Sequence, residues 1–376
     1  MRRIQYITLY GVLFIFAGFK AFQEYDIDIL RKKYSSGDYQ QWPAPHIDDE
    51  VKSGFKDIGH LPEVQFPEDN LYTKEKATLG KTLFFDPRLS SSGQIACASC
   101  HDSELGWGDG RRASYGHNRQ IGARNAMTLL NVAYAETLFW DGRAATLEEQ
   151  VNFPVEDSLE MNFHVDLAVK RIAKISGYKD LFAAAYSDPL VTEQRIIGAI
   201  ATFERTIVSE STRFDRFIDG DEDILSDQEV LGLHLFRTKA RCINCHNTGY
   251  FSDNSFHNTG LTYYGRSFED LGLYEQTGIK EDVGKFKTAP LREITRTEPF
   301  MHNGLFPHLA GVINMYNAGM PQPKRKDHQL NDTLFPVTSP LLKELELTER
   351  EQRALEAFLY TLESRNKRET PPELPN

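Results

Sequence analysis

The sequence predicts a mainly α-helical protein organised as two domains. Three observations carry this reading. Apolar residues recur at helical spacing behind recognisable N-caps, no run of period-two strand pattern occurs, and one cysteine–histidine motif returns about 145 residues after its first copy. A chain of 376 residues suits two domains of ordinary size, each able to bury its own core.

The repeated motif is Cys97-Ala98-Ser99-Cys100-His101 and Cys242-Ile243-Asn244-Cys245-His246, and it uses all four cysteines. Two thiols three positions apart, followed at once by an imidazole, form the c-type haem attachment pattern. The thiols add across porphyrin vinyl groups as thioethers, and the histidine reaches the iron. A redox dithiol or half of a zinc site also uses C-x-x-C. A dithiol, however, needs no adjacent histidine twice over, and a shared four-cysteine zinc site leaves both histidines unexplained. The motif therefore implies two covalently bound haem c groups.

The net charge of −11, with no basic stripe interleaved with aromatics, argues against a nucleic-acid binder. An acidic surface suits a basic redox partner. Arg2 and Arg3 precede an apolar run from Tyr6 to Phe19 closed by Lys20, so residues 1–25 read as a signal peptide or an N-terminal anchor. Roughly 14 apolar residues fall short of a comfortable span, which favours the signal peptide. No clean A-x-A cleavage site follows, and an uncleaved segment would tether the protein to a membrane. Covalent haem attachment belongs outside the cytoplasm, so the expected location is periplasmic.

In chain order, residues 26–70 read as an extended lead-in over the surface, with Trp42-Pro43-Ala44-Pro45 and Leu61-Pro62 interrupting any period. The first haem domain is expected over 71–220. Thr73 caps a helix to about Phe85 with Leu79 and Leu83 on one face, stopped by Asp86-Pro87. Residues 105–112 form a glycine-rich loop in which Arg111 and Arg112 either pair with haem propionates or make a solvated basic turn. Thr192 opens a helical stretch from Glu193 to Ser209, with Ile196, Ile200, Phe203 and Ile207 on one face. The charged run around Gly220 marks the boundary, and 221–376 form the second haem domain. Ser226 to Glu229 and Thr348 to Glu351 are capping boxes, and 247–290 read as a long loop folded around the second haem. The Pro-rich tail after Ser364 reads as mobile.

Longer stretches carry a resemblance. They include Leu83-Phe84-Phe85-Asp86-Pro87-Arg88-Leu89-Ser90, Arg124-Asn125, Phe139-Trp140-Asp141-Gly142-Arg143-Ala144, Phe256-His257-Asn258-Thr259-Gly260, Pro290-Leu291-Arg292 and Pro299-Phe300-Met301-His302-Asn303-Gly304. From about Asn70 to Ser364 the chain resembles the bacterial di-haem cytochrome c peroxidase family, which includes MauG-like proteins. The resemblance implies two cytochrome c-like α domains facing each other across a haem-bearing interface, the last segment packing back on the first domain in many members. Peroxide would be reduced at the first haem, and the second would relay electrons from a small donor.

The same resemblance implies roles for single residues. His117 matches a displaceable ligand of the first iron, although alone it would read as a surface loop histidine. Glu160 matches the catalytic acid–base group, with Gln150 beside it to orient peroxide, while Glu148, Glu149 and Glu156 are nearby competitors. Trp140 matches a tryptophan between the haems, where composition alone would call it core. Asn125, Thr297 and Pro299 match positions that bind one calcium ion at the domain interface. Counting forward from His302, the far ligand of the second iron falls on Tyr316, which shares a helical face with Leu309, Val312 and Ile313; Met315, Met301 and Met320 are the alternatives.

The expected function is reduction of hydrogen peroxide with electrons from a cytochrome c or a cupredoxin. The alternatives are a MauG-like oxidase that modifies a protein partner and a non-catalytic di-haem electron carrier, which would need no distal acid–base pair. The resemblance leaves a homodimer open.

Overall fold

A computed structural model describes residues 25–365 and 368–376, so the expected export segment up to residue 24 lies outside the described residues. In order, the helices are α1 (Ile27–Tyr34), α2 (Lys74–Phe84), α3 (Leu147–Gln150), α4 (Asn152–Glu156), α5 (Val165–Ile172), α6 (Ser176–Tyr186), α7 (Glu193–Arg205), α8 (Arg213–Ile218), α9 (Asp227–Arg237), α10 (Tyr274–Thr277), α11 (Leu309–Asn317) and α12 (Glu349–Tyr360). Two-residue strands β1 (Phe256–His257) and β2 (Phe286–Lys287) pair antiparallel, Phe256 opposite Lys287. Among the described residues no helix is long and apolar enough to cross a membrane.

Local chemistry starts these helices where expected. The Thr73, Thr192, Ser226 and Thr348 side chains each accept from the backbone N–H three residues on, and Glu229 and Glu351 complete two capping boxes. Packing then sorts the helices into two hydrophobic clusters. The first joins Leu79, Leu83 and Phe84 of α2 to Phe182 of α6 and to Ile196, Ile200 and Phe203 of α7. The second joins Val230, Leu233 and Phe236 of α9 to Ala354, Phe358 and Leu359 of α12.

Both clusters are built on the same crossing. A Cβ on Gly80 of α2 would lie 1.8 Å from the Ala199 carbonyl oxygen of α7, with Phe203 next to it. On Gly232 of α9 it would lie 1.9 Å from the Ala354 carbonyl oxygen of α12, with Phe358 next to it. In each pair a glycine lets two helix backbones touch, and the residue one turn further on supplies a large ring.

Two expectations about organisation change. Residues 26–70 are not an extended cover: α1 buries Leu30 and Tyr34, and Trp42 and Ile58 follow them into the second cluster. Arg31 donates to the Leu225 carbonyl and to Asp227, and Arg237 donates to Asp57 and the Pro43 carbonyl at 2.7 Å. Ahead of the expected boundary at 220/221, Phe214, Phe217 and Ile218 of α8 already pack into the second cluster, while Ile207 packs into the first. The tail, read as mobile from its composition, is held on the first domain, the side on which the resemblance put the last segment: the Asn376 carbonyl accepts from Gly177 N–H at 3.0 Å, Arg88 donates to the Pro375 carbonyl at 2.9 Å, and Lys81 pairs with Glu369.

Alanine at either crossing glycine meets backbone rather than a movable side chain, so each substitution is expected to destabilise its domain by about 1–3 kcal/mol. Thermal melts of Gly80→Ala and Gly232→Ala check this, and melts matching the parent would mean that the helices do not cross so closely.

Candidate haem sites

Each C-x-x-C segment closes a single 3-10 turn, and the amide of the following histidine bonds back to the first cysteine carbonyl, at 3.0 Å for His101 and 2.9 Å for His246. The imidazoles are then fixed by one further bond each. His101 Nδ1 lies 3.0 Å from the Trp107 carbonyl oxygen, and His246 Nδ1 lies 3.1 Å from the Phe251 carbonyl oxygen. A carbonyl accepts only, so Nδ1 carries the hydrogen and Nε2 keeps a free lone pair, the tautomer an iron ligand needs. Burial lowers the pKa of both rings and keeps them neutral.

The four thiols form no disulfide. Burial pushes Cys100 up to about 11 and Cys242 up to about 12, opposite in sign to the depressed pKa of a redox dithiol. The two cysteine pairs line separate cavities, which removes the shared zinc site. Cys245, Asp253 and His257 do lie close together, but His257 Nε2 is engaged by Asp253 at 2.8 Å and Cys245 belongs to the haem motif. In each cavity two thiols and an imidazole with a free Nε2 converge, a donor set that fits a covalently attached haem.

The first cavity, about 400 Å³, is lined by Cys97, Cys100 and His101, and the second, about 230 Å³, by Cys242, Cys245 and His246. They share a wall containing Asn125, Met127, Trp140 and Lys287. Trp140 is anchored there: its indole N–H donates to the Asn125 carbonyl at 2.9 Å, and its ring meets His302 edge-on at 6.4 Å.

Glu160 and Gln150 both line the first cavity. Of the competing carboxylates, Glu148 is held by Arg205 and Asn70, Glu149 accepts from the Ala145 amide, and Glu156 is exposed; none of the three lines the cavity. Burial raises the Glu160 pKa, Asp157 raises it further, and Arg143 opposes them. The Glu160 turn rests on Gly116, where a Cβ would lie 1.9 Å from the Leu159 carbonyl oxygen and 2.6 Å from Glu160 Cα. His117 is not brought in with them. Its amide donates to the Glu160 carbonyl at 2.7 Å, but its Nδ1 meets Ser91 Oγ at 3.2 Å and its side chain does not line the cavity. Arg111 and Arg112 also stay outside, stacked over Tyr115 and Phe268.

In the second cavity α11 turns Tyr316 inward, while its neighbour Met315 does not line it, nor does Met320; Met301 does. Burial pushes the Tyr316 phenol above its ordinary range. An anionic phenolate there therefore needs a cation within bonding distance. Asn125, Thr297 and Pro299 sit on this cavity's wall, with Asn125 Nδ2 donating to the Arg111 carbonyl at 2.7 Å. Sequence reasoning assigned no role to three further lining residues. His302 stacks on Phe286 at 3.5 Å with a buried Nε2 that has no partner, Lys287 is a buried ammonium, and Glu204 is a buried carboxyl in the first cavity.

The profile described as di-haem cytochrome c peroxidase matches residues 74–223. The methylamine utilization protein MauG of Methylophilus methylotrophus is 39% identical over 79% of this chain and 85% of its own length. The chain belongs to the di-haem cytochrome c peroxidase family. Another relative is the cytochrome-c peroxidase IdrP1 of Denitromonas iodatirespirans, 36% identical over 82% of this chain and 86% of its own. Among solved structures, a MauG-like protein associated with microbial copper homeostasis superposes with a TM-score of 0.72 at 32% identity, covering 81% of this chain and 94% of that one. Family membership carries the mainly helical fold and the haem c groups, and Cys97, Cys100 and His101 with Cys242, Cys245 and His246 are the residues that would hold them.

Gly116→Ala is expected to push the Glu160 turn out of place without touching either attachment motif. Peroxide turnover should fall while haem content stays at the parent level; unchanged turnover would show that this contact does not set the Glu160 position.

Proposed function

We propose that this protein reduces hydrogen peroxide to water in the first cavity, with electrons from a small redox protein, a cytochrome c or a cupredoxin, relayed through the second haem. The observation that carries the reading is the convergence of Glu160 and Gln150 on the cavity that holds His101, behind a Trp140 wall shared with the second cavity. A non-catalytic carrier has no use for that carboxyl–amide pair.

When bound, the haem irons supply electron exchange with peroxide and with the donor. The chain's part is proton handling and orientation. Glu160, ionised, takes the proton from the near peroxide oxygen and returns it to the far one as that oxygen leaves, and the Gln150 amide holds the peroxide in line. Trp140 stands in the wall shared by the two cavities and would separate the two haems, and His117 would join only if its loop turned inward from Ser91. Asn125, with its amide N–H committed to Arg111, offers Oδ1 to a calcium ion alongside the Thr297 and Pro299 carbonyls. Export to the periplasm belongs to the same proposal.

One observation favours a second reading. Tyr316 lines the second cavity where Met315 does not. Phenolate ligation would stabilise oxidised iron and suit a MauG-like oxidase acting on a protein partner, whereas methionine raises the potential and suits a relay. We expect Tyr316→Phe to change the electron paramagnetic resonance of the second haem and Met315→Leu to leave it unaltered; the reverse pattern assigns the ligand to methionine.

Glu160→Gln is expected to lower turnover by about 10² to 10⁴ with both haems retained. The base must be ionised and its pKa is raised, so turnover should fall with decreasing pH above the ordinary carboxylate range. Asp157→Asn removes a negative charge that raises that pKa and should move this acid limb to lower pH. A limb that stays put in Asp157→Asn, or a Glu160→Gln rate within about threefold of the parent, would sink the assignment.

A further inference from the structure

Reducing one peroxide to two waters consumes two electrons and two protons: H2O2 + 2H⁺ + 2e⁻ → 2H2O. Glu160 moves a proton from one oxygen to the other and ends as it began, so its cycle supplies no net proton. The two net protons have to enter the cavity from another source.

Glu204 stands in the last turn of α7, 4% exposed, and its side chain lines the first cavity together with Cys97 and His101. Its Oε2 is buried without a hydrogen-bond partner. Cations nearby are committed elsewhere. Arg205, the next residue, gives both terminal nitrogens to Glu148 at 2.6 and 2.8 Å, and Lys76 of α2 donates to Asn70 Oδ1 at 3.0 Å and the Leu71 carbonyl at 2.7 Å. The other charged residues lining the cavity are Glu160, Asp157, Glu269, Arg143, which pairs with Asp141, and Lys287, which donates to the Thr137 carbonyl, while Asp270 and Glu275 are paired with Arg124. A buried carboxylate with neither cation nor donor is costly, and the group relieves that cost by keeping its proton. Burial pushes Glu204 up to about 8; Arg205 opposes this and Glu148 adds to it. A neutral carboxyl is an O–H donor aimed into an otherwise apolar part of the wall, beside Ile200 and Val132.

We propose that Glu204 is the proton donor of the first cavity: it gives its carboxyl proton to the peroxide oxygen that stays behind when the first water leaves, is reprotonated from solvent, and gives a second, so that this oxygen departs as the second water. The bond broken is Glu204 O–H and the bond formed is O–H of product water; the electrons come from the reduced donor protein. The role rests on the peroxide-reductase reading.

The test compares the parent holoprotein with Glu204→Gln and Glu204→Asp, each first checked for two haems and a parent-like melt. In the infrared spectrum the parent should show the carbonyl stretch of a protonated carboxyl, lost as pH rises through about 8 and absent in Glu204→Gln. Peroxide turnover of the parent should fall over the same rise, because the donor must be protonated. Glu204→Gln should lose about tenfold or more in rate together with that alkaline limb, and Glu204→Asp should restore both in part. A Glu204→Gln protein with the parent's rate and pH profile would reduce Glu204 to packing and overturn the proposal. So would a parent with no protonated-carboxyl band below neutral pH. Should Glu204→Gln fail to fold, the peroxide-induced infrared difference spectrum of the parent decides: the band must bleach as peroxide reacts. A parent that shows the band but reduces no peroxide would instead defeat the function on which the role rests, so the two failures are distinguishable.

Discussion

Both haem sites depend on one hydrogen bond, from imidazole Nδ1 to the carbonyl of a buried aromatic residue held in the left-handed region. Trp107 has φ 58° and Phe251 has φ 57°. That conformation is unfavourable for a bulky residue and persists only where packing enforces it. The packing can be traced back to the helix crossings. Gly80 lets Phe203 close on Phe84 at 5.3 Å, and both rings contact Trp107 at about 6 Å. Gly232 lets Phe358 close on Phe236 at 5.3 Å, and both contact Phe251 along with Phe214. In each domain a glycine sets a ring, the ring sets a carbonyl, and the carbonyl aims an Nε2.

The two units become one machine through the segment 247–290. It was expected to wrap the second haem, and His257, Thr259 and Phe286 do line that cavity, yet Tyr250, Glu269, Asp270 and Glu275 line the first. Arg124 from the first domain binds Asp270 at 2.7 Å and Glu275 at 3.0 Å on this segment, while also pairing with Asp141 next to Trp140. This is a network of several charges, partly shielded from water, and such networks hold geometry better than isolated surface pairs. Its position fixes the wall through which electrons would pass. Just beyond the segment, buried Arg292 donates to the Gly249 carbonyl at 2.6 Å, to Asp215 at 2.8 Å and to the Gly59 carbonyl at 2.8 Å, which ties α8 and the N-terminal lead-in to this segment.

What the sequence made readable was chemistry with a fixed local geometry. C-x-x-C-H specifies attachment by spacing alone, and caps at Thr73, Thr192, Ser226 and Thr348 specify helix starts because the bonds they make are three residues long. Tertiary burial was not readable in the same way. Residues 26–70 have no sustained period, since Tyr34, Trp42 and Ile58 reach the second core one at a time from irregular chain. The tail is polar and docks through main-chain carbonyls at Pro375 and Asn376 and a charged pair at Glu369, none of which leaves an apolar pattern. Glu204 carries no signal in the sequence, since a Glu-Arg dipeptide at a helix end is ordinary, and only the fold turns Arg205 to Glu148 and leaves Glu204 facing the cavity.

The central claim is that the two cavities hold covalent haems of unequal role, one reacting with peroxide and one passing electrons to it. Stopped-flow mixing of the reduced holoprotein with one equivalent of peroxide tests it most directly, with both haem spectra followed as a reduced small cytochrome is supplied. The account expects two haems per denatured chain, oxidation of both on a single peroxide, and donor oxidation at two cytochromes per peroxide. A protein whose haems stay reduced in the presence of peroxide, or that carries a free thiol at Cys97, Cys100, Cys242 or Cys245, would contradict it.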